Sequence, residues 1–421
     1  MHYLSLMVLM GLALAQPSNY IPFQTIINND PYPAPLFLHS MSEANKYMAI
    51  LDTNLNITWH VNSGHLGLDF KVNQNNLSYF NRIGQSWILL NEFMVETDTL
   101  TCIGDYNADY HDIQITESGG FILQSYNNIY VDMSSIVEGG NITAQIQVLI
   151  IQEIDSNHSL IFEWNAWDHL DISDYTNFDL TSPTITWMHG NSIEIDYDEN
   201  LLISNRMSSE IIKIDRNNGN VIWIFGGPMN QFSLSNDPKN GFKKQHDVRR
   251  LLNGNIMLFD NGNAHDPPVS RAVEYSLDEI EKIANLVWDY EHPEEYIGLA
   301  MGSVQRLPNN NTLINWGTIS GQGAIITEVD YEKNIVLELH YPHPYNTYKV
   351  RKSNWYFETT LLPGDVNLDG VIDILDINYC IDYILTGIVE PDMVHLFRYD
   401  INKDHFIDLI DIEILINQIL D

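Results

Sequence analysis

A strand–turn–strand unit appears five times between Leu68 and Gly317, and it constrains this chain more than any other feature. "HDIQITESGGFILQSY" starts at His111, "HDVRRLLNGNIMLFDN" at His246, "GSVQRLPNNNTLINWG" at Gly302 and "LDFKVNQNNLSYFNR" at Leu68. "HGNSIEIDYDENLLISNR", from His189, fits the same frame with a two-residue insertion. Each unit is a β-rich run, an Asn/Gly/Asp turn and a second run, as in antiparallel strands. A third strand follows, as in "SEIIKID" and "SRAVEYSLD", and a fourth carries tryptophan, as in "NVIWIFGG", "ANLVWDYEH" and "LIFEWNAWDH". Four strands per repeat predict an all-β fold, a six-bladed β-propeller. The runs "PLFLHS", "YMAILD" and "NITWHV" give the sixth blade only three strands. "TYKVRKSNWYF" (Thr347–Phe357) is left to supply the missing one, closing the ring and removing its open edges.

The repeat puts His111, His189 and His246 at one equivalent place, the start of the innermost strand. Leu68 and Gly302 hold that place in two other units, so histidine is not a demand of the repeat. In a propeller these strand starts ring one mouth of the central channel, where residues far apart in sequence meet. Neutral imidazoles there could ligate Zn²⁺ or Cu²⁺, or one could act as a nucleophile that carries a transferred group. The neighbours favour the second use: Asn191, Arg206, Arg249, Arg250 and Arg271 suit a tetrahedral oxyanion such as sulfate, and fixed cations repel a metal dication. Arg249 and Arg271 are therefore candidate substrate-binding residues. His169 and His265 fall outside the repeat position and are read as bystanders.

The pattern changes after Leu361. "DVNLDGVIDILD" and "DINKDHFIDLID" are two copies of D-x-N-x-D-x-x-x-D-x-x-D, each leading into an apolar helix-like run. A hard cation such as Ca²⁺ takes six to eight oxygens on a tight loop. The first loop offers Asp365, Asn367, Asp369, Asp373 and Asp376 with the carbonyl of Val371 and Gly370 at the sharp turn. The second offers Asp400, Asn402, Asp404, Asp408 and Asp411 with the carbonyl of Phe406. It has His405 where glycine is expected, which asks a β-carbon to sit in a left-handed turn and predicts a weaker site. The alternative is an acidic solvated tail.

The 56 acidic and 20 basic residues leave a net charge of −36, which argues against nucleic acid and anionic membranes as partners. Residues 1–15, "MHYLSLMVLMGLALA", read as a signal peptide closing on an Ala13-x-Ala15 cleavage pattern, and predict an exported, secreted or periplasmic or cell-surface protein. No later segment has the length of a transmembrane helix. Cys102 and Cys380 lie in different predicted domains, so no disulfide framework is implied.

"MHGNSIEID…LLISNR…IIKIDRNNGNVIWIFGG", "QHDVRRLLNGNIMLFDNGN" and "MGSVQRLPNNNTLINWG" resemble the arylsulfotransferase family, six-bladed propellers that act without 3′-phosphoadenosine-5′-phosphosulfate (PAPS). The resemblance implies transfer of a sulfuryl group from an aryl sulfate ester to a phenolic acceptor through a sulfohistidine. By motif position the nucleophile is His246. His111, His189, Asn191 and Arg206 hold the sulfuryl oxygens, a neighbouring histidine protonates the leaving phenolate, and catalysis needs no cofactor. A non-catalytic propeller that binds sulfated glycans or a protein, and an aryl sulfate hydrolase, are the alternative readings. The doubled loop resembles a dockerin, which implies Ca²⁺ and a cohesin-like partner. The expected domains are a propeller over 20–360 and a small α-helical dockerin-like domain over 364–421.

Overall fold

The computed structural model describes residues 20–43, 45–355, 364–366, 372–386, 399–402 and 406–420. The signal-peptide reading of residues 1–15 lies outside them, as do Tyr356, Phe357 and the loop positions Asn367, Asp369, Gly370, Val371, Asp404 and His405.

Six antiparallel sheets stand around one axis, and the chain is a six-bladed β-propeller. From the axis outward, blade 2 begins with Leu66–Asn73, blade 3 with Ile113–Ile115, blade 4 with Gly190–Ile195, blade 5 with His246–Arg250 and blade 6 with Ser303–Arg306. Blade 1 takes its inner strand from the far end of the propeller sequence: Asn346–Lys352 pairs antiparallel with Leu36–Met41, followed by Lys46–Leu51 and Ile57–Asn62. The closing strand assigned to "TYKVRKSNWYF" therefore does close the ring. Three additions were not legible in the repeat. Gln24–Asn28 forms a fifth, outer strand on blade 6, Ser233–Ser235 lies parallel on the edge of blade 5, and Thr184–Thr186 pairs parallel with Ala144–Ile154 of blade 3.

The middle strands are buried along their whole length because both of their faces are covered by neighbouring blades. Leu201–Asn205, Glu210–Ile214 and Ile256–Asp260 are buried at every position. The repeated tryptophans sit between blades. Trp164 of blade 3 donates its indole N–H to Gly219 O of blade 4, Trp223 of blade 4 to Glu279 of blade 5, and Trp288 of blade 5 to Tyr331 O of blade 6. A buried indole nitrogen needs an acceptor, and the turn of the next blade provides it three times over. These contacts fix the angle between adjacent sheets, and so the spacing of the inner strands.

The inner strands are bulged near their starts: the register shifts between Leu68 and Lys71, between Gly190 and Ser192, and between His246 and Arg249. Asp69 and Asp247 occupy left-handed backbone at φ 51° and 60°. A bulge adds one residue and re-aims its side chain, so His246 and Asp247 serve different places although they are adjacent.

Asp247 belongs to a buried belt of charge below the histidines. Lys71 Nζ lies 2.6 Å from both Asp69 and Asp112, and Arg249 lies 2.7 Å from Asp112, 3.0 Å from Asp247 and 3.2 Å from Glu194. Arg351 pairs with Asp247, and Lys349 sits 3.8 Å from Asp69 and 3.7 Å from Asp112. The belt links residues at the inner strands of blades 1 to 5. Cys102 and Cys380 are both free and buried. Among the described residues no helix is long and apolar enough to cross a membrane.

Candidate active site

His111, His189 and His246 line one cavity of about 340 Å³. His246 opens the inner strand of blade 5, His189 directly precedes that of blade 4, and His111 stands two residues before that of blade 3. The rings of His111 and His189 meet edge to face with centroids 4.6 Å apart.

The three imidazoles have different settings. His111 Nδ1 lies 2.5 Å from Asp109 Oδ1, an oxygen that also accepts from Gln124 Nε2 at 2.7 Å and from the His111 backbone N–H at 3.1 Å. Burial pushes the Asp109 pKa up, but the charge of His111 and these hydrogen bonds outweigh it, and the carboxyl is held below its ordinary value. Tyr110 stacks on His111 at 4.1 Å. Burial, then the neighbouring His111, pull His189 down to about 3. His246 is fully enclosed; burial and then the Arg206 guanidinium hold it well below the usual imidazole value, with its Nδ1 2.5 Å from Asn261 Oδ1. At neutral pH His189 and His246 are uncharged.

The positive charge at this mouth is not spent on carboxylates. Arg206 donates Nη2 to Leu299 O at 2.9 Å, and its buried Nε has no partner. Among the described residues Lys244 Nζ donates only to Met207 O, at 2.8 Å. Arg82, which lines the same cavity, makes no ion pair among the described residues. Met41, Leu68, Ala300, Met301, Tyr110 and Tyr348 complete an apolar and aromatic wall. The site therefore offers nucleophilic nitrogen, a proton carrier, fixed cations and a surface for a flat ring.

The other sequence candidates lie elsewhere. Arg249 is committed to Asp112, Asp247 and Glu194 in the axial belt. Arg271 is fully buried against Asp237 at 2.9 Å and Asp260 at 3.1 Å. The structure does not bring either guanidinium to the cavity, because nearby carboxylates already hold both in place. Arg250 is likewise paired with Asp196 and Glu279. Asn191 is buried behind the site, where its Nδ2 donates to Gln245 O at 2.7 Å and steadies the peptide ahead of His246. His265 faces Asp260, and His169 stacks on Trp164. Asp109, Asn261, Arg82, Tyr110 and Tyr348 were not legible as site residues. For Asn261 a signal existed: Asn205, Asn261 and Asn315 stand at or one past the end of the second strand in three successive blades. A larger cavity, about 550 Å³, lies near the opposite ends of the inner strands, but Arg249, Arg250, Arg306 and Arg351 on its wall are all ion-paired.

In the C-terminal segment the helices Ile374–Thr386 and Leu409–Leu420 each follow an acidic loop. The two loops repeat one hydrogen-bond pattern. Asp376 accepts from the backbone N–H of Val366 at 2.7 Å and Asp373 at 2.8 Å, and Asp411 accepts from Ile401 at 2.8 Å and Asp408 at 2.9 Å. Asp365, Asp376, Asp400 and Asp411 are all buried. Buried acidic oxygens held by backbone amides in duplicate are a donor set that fits a hard cation. No cluster of three or more histidine, cysteine or acidic side chains that could hold a metal occurs among the described residues.

No curated protein matches the chain significantly. Solved structures are similar to the chain at low identity. A protein of unknown function from Bacteroides caccae is 12% identical with a TM-score of 0.46, covering 76% of this chain and 98% of that one. The virginiamycin B lyase of Staphylococcus aureus is 10% identical with a TM-score of 0.39, covering 77% and 89%. The dockerin type I domain family matches residues 363–420, so the segment is a dockerin. The arylsulfotransferase (ASST) family matches residues 93–342, the part of the propeller that holds all three cavity histidines, and the chain belongs to that family.

Proposed function

We propose that the protein is an exported arylsulfate sulfotransferase that moves a sulfuryl group from an aryl sulfate ester to a phenol through a sulfohistidine on His246. The carrying observation is the convergence of His111, His189 and His246 with carboxylate-free Arg82 and Arg206 on one cavity. The neutral His246 Nε2 lone pair attacks sulfur. The bond from sulfur to the aryl oxygen breaks and its electron pair leaves on that oxygen. His111, oriented through Nδ1 by Asp109, gives a proton to the phenolate. In the second half the acceptor phenol returns a proton to His111, its oxygen attacks sulfur, and the N–S bond breaks, restoring the His246 lone pair. Arg206 and neutral His189 hold the sulfuryl oxygens, and fixed donors aimed at developing charge lower the barrier. Asn191 acts by bracing the Gln245 peptide. Catalysis by this route uses neither PAPS nor a metal.

The propeller is assigned to 20–360 and the dockerin to 364–421. Asp365, Asp373, Asp376, Asp400, Asn402, Asp408 and Asp411, with the Phe406 carbonyl, would hold Ca²⁺, which supplies the charge that binds each loop together; Asn367, Asp369, Val371 and Asp404 complete the set from outside the described residues. A cohesin-like protein is the partner this tail implies, and such an anchor suits an extracellular enzyme.

The test is 4-nitrophenyl sulfate with and without a phenol. Phenol-dependent release of nitrophenol that vanishes in His246→Ala supports transfer. Equal release without phenol makes the protein a hydrolase, and no turnover alongside tight binding of a sulfated ligand makes it a binding module.

A further inference from the structure

Three hydrogen bonds on Asn261 decide which nitrogen of His246 is free. Asn261 Nδ2 donates to Gly298 O at 2.8 Å and to Met301 O at 3.0 Å. Turning the amide over would set its oxygen against those two carbonyls, so the orientation is fixed. Oδ1 then faces His246 Nδ1 at 2.5 Å. An amide oxygen only accepts. The proton of neutral His246 must therefore sit on Nδ1, and its lone pair on Nε2.

His111 presents the same nitrogen to a different group, the Asp109 carboxylate. A carboxylate orients an imidazole and also favours its charged form; an amide oxygen orients the ring without adding negative charge. Burial first, then Arg206, His111 and His189, oppose a positive charge on the His246 ring, and only the Asn261 hydrogen bond works the other way without outweighing them. Two histidines in one cavity are thus given opposite tasks by the difference between Asp and Asn at one contact.

We infer that Asn261 is a positioning residue that locks His246 in the Nδ1–H tautomer, keeping Nε2 as a standing nucleophile, while Asp109 orients His111 beside it. During transfer Asn261 Oδ1 also accepts from the Nδ1–H of the N-sulfonated ring, whose positive charge would otherwise face an apolar wall. This rests on the transfer reading for its purpose, but not for its observable.

The experiment is ¹⁵N NMR of histidine-labelled full-length protein, with His246 assigned by subtraction against His246→Gln. A protonated Nδ1 and a bare Nε2 are expected from about pH 5 to about pH 8. A proton on Nε2, or an imidazolium across that range, overturns the inference whether or not the protein turns over aryl sulfates. In Asn261→Ala the two nitrogen signals should move toward a tautomer mixture, with kcat down about 100-fold and KM within about twofold, as for a nucleophile or base in the wrong tautomer. Unchanged kcat in a folded Asn261→Ala also overturns it. Should that variant not fold, the wild-type spectrum still decides. If the wild type turns over no aryl sulfate, the transfer reading fails alone and the tautomer assignment stands or falls on the spectrum.

Discussion

Lys349 Nζ donates to the backbone carbonyl of His111 at 2.6 Å, across 238 residues of sequence. The strand that closes the ring thereby braces a histidine of blade 3, and Tyr348 Oη reaches the same carbonyl at 3.2 Å. Lys349 is fully enclosed; burial lowers its pKa and the Asp112 charge works against that. Removing a charge from such a belt leaves its partners uncompensated. Lys349→Met should lower stability by about 3 kcal/mol, read by urea denaturation. An unchanged midpoint would mean that Lys71 and Arg249 suffice to neutralise Asp69 and Asp112.

The Asp109 carboxylate against His111 makes a second expectation specific to the leaving group. A phenol that leaves easily needs little help from an acid, and a poor one needs much. Asp109→Asn should slow release from 4-nitrophenyl sulfate by less than about tenfold, and from unsubstituted phenyl sulfate by about 100-fold or more. Equal losses for both esters would assign Asp109 to architecture and not to proton delivery.

Acid stability follows from histidines that are buried uncharged. His39 and His189 are each lowered from 6.5 to about 3 by burial first, then by Lys46 for His39 and by His111 for His189; His246 is lowered too. Their folded pKa values lie below the unfolded one, so between the two the unfolded chain binds more protons. The stability they contribute is complete above about pH 6.5 and is lost as pH falls toward about 3. Each proton is worth about 1.4 kcal/mol per pH unit in that window. His39→Gln, outside the active site, should reduce the slope of stability against pH between about 6 and 4 by one proton. The measure is urea unfolding at stepped pH, and an unaltered slope would mean that His39 charges freely in the folded state.

Calcium is expected to act on the tail alone. At free Ca²⁺ about 1,000 times the dissociation constant, binding should stabilise the dockerin by about 4 kcal/mol. A chelator should then abolish the helical circular dichroism of 374–386 and 409–420 and leave the propeller transition in place. Asp376→Ala and Asp411→Ala should each halve the number of ions bound, read by calorimetric titration. Co-melting of both transitions would show that the two segments are energetically coupled.

Much of this was legible before the structure because a repeat carries spatial information. Aligning five copies placed His111, His189 and His246 on one ring, and counting strands pointed to Thr347–Phe357 as the closing element, of which Asn346–Lys352 forms the strand. What a sequence does not carry is the partner of a charge. Arg249 and Arg206 look alike in composition, yet one is wrapped by Asp112, Asp247 and Glu194 while the other meets a carbonyl and the cavity. Arg271 was misread for the same reason, its carboxylates coming from residues 11 and 34 positions away. Asn261 was hidden because its meaning is orientational: the amide matters through which of its ends the Gly298 and Met301 carbonyls claim. The extra strand Gln24–Asn28 carried no repeat signature, since it only covers an edge.

The buried charge belt has a consequence for traffic. Asp69, Asp112 and Asp247 are bound to Lys71, Lys349, Arg249 and Arg351 among the inner strands, and a ligand coming to His246 through them would have to break buried ion pairs. Under the proposed transfer, donor and acceptor would use the one histidine cavity in turn, with the SO₃ group kept on the protein between their visits.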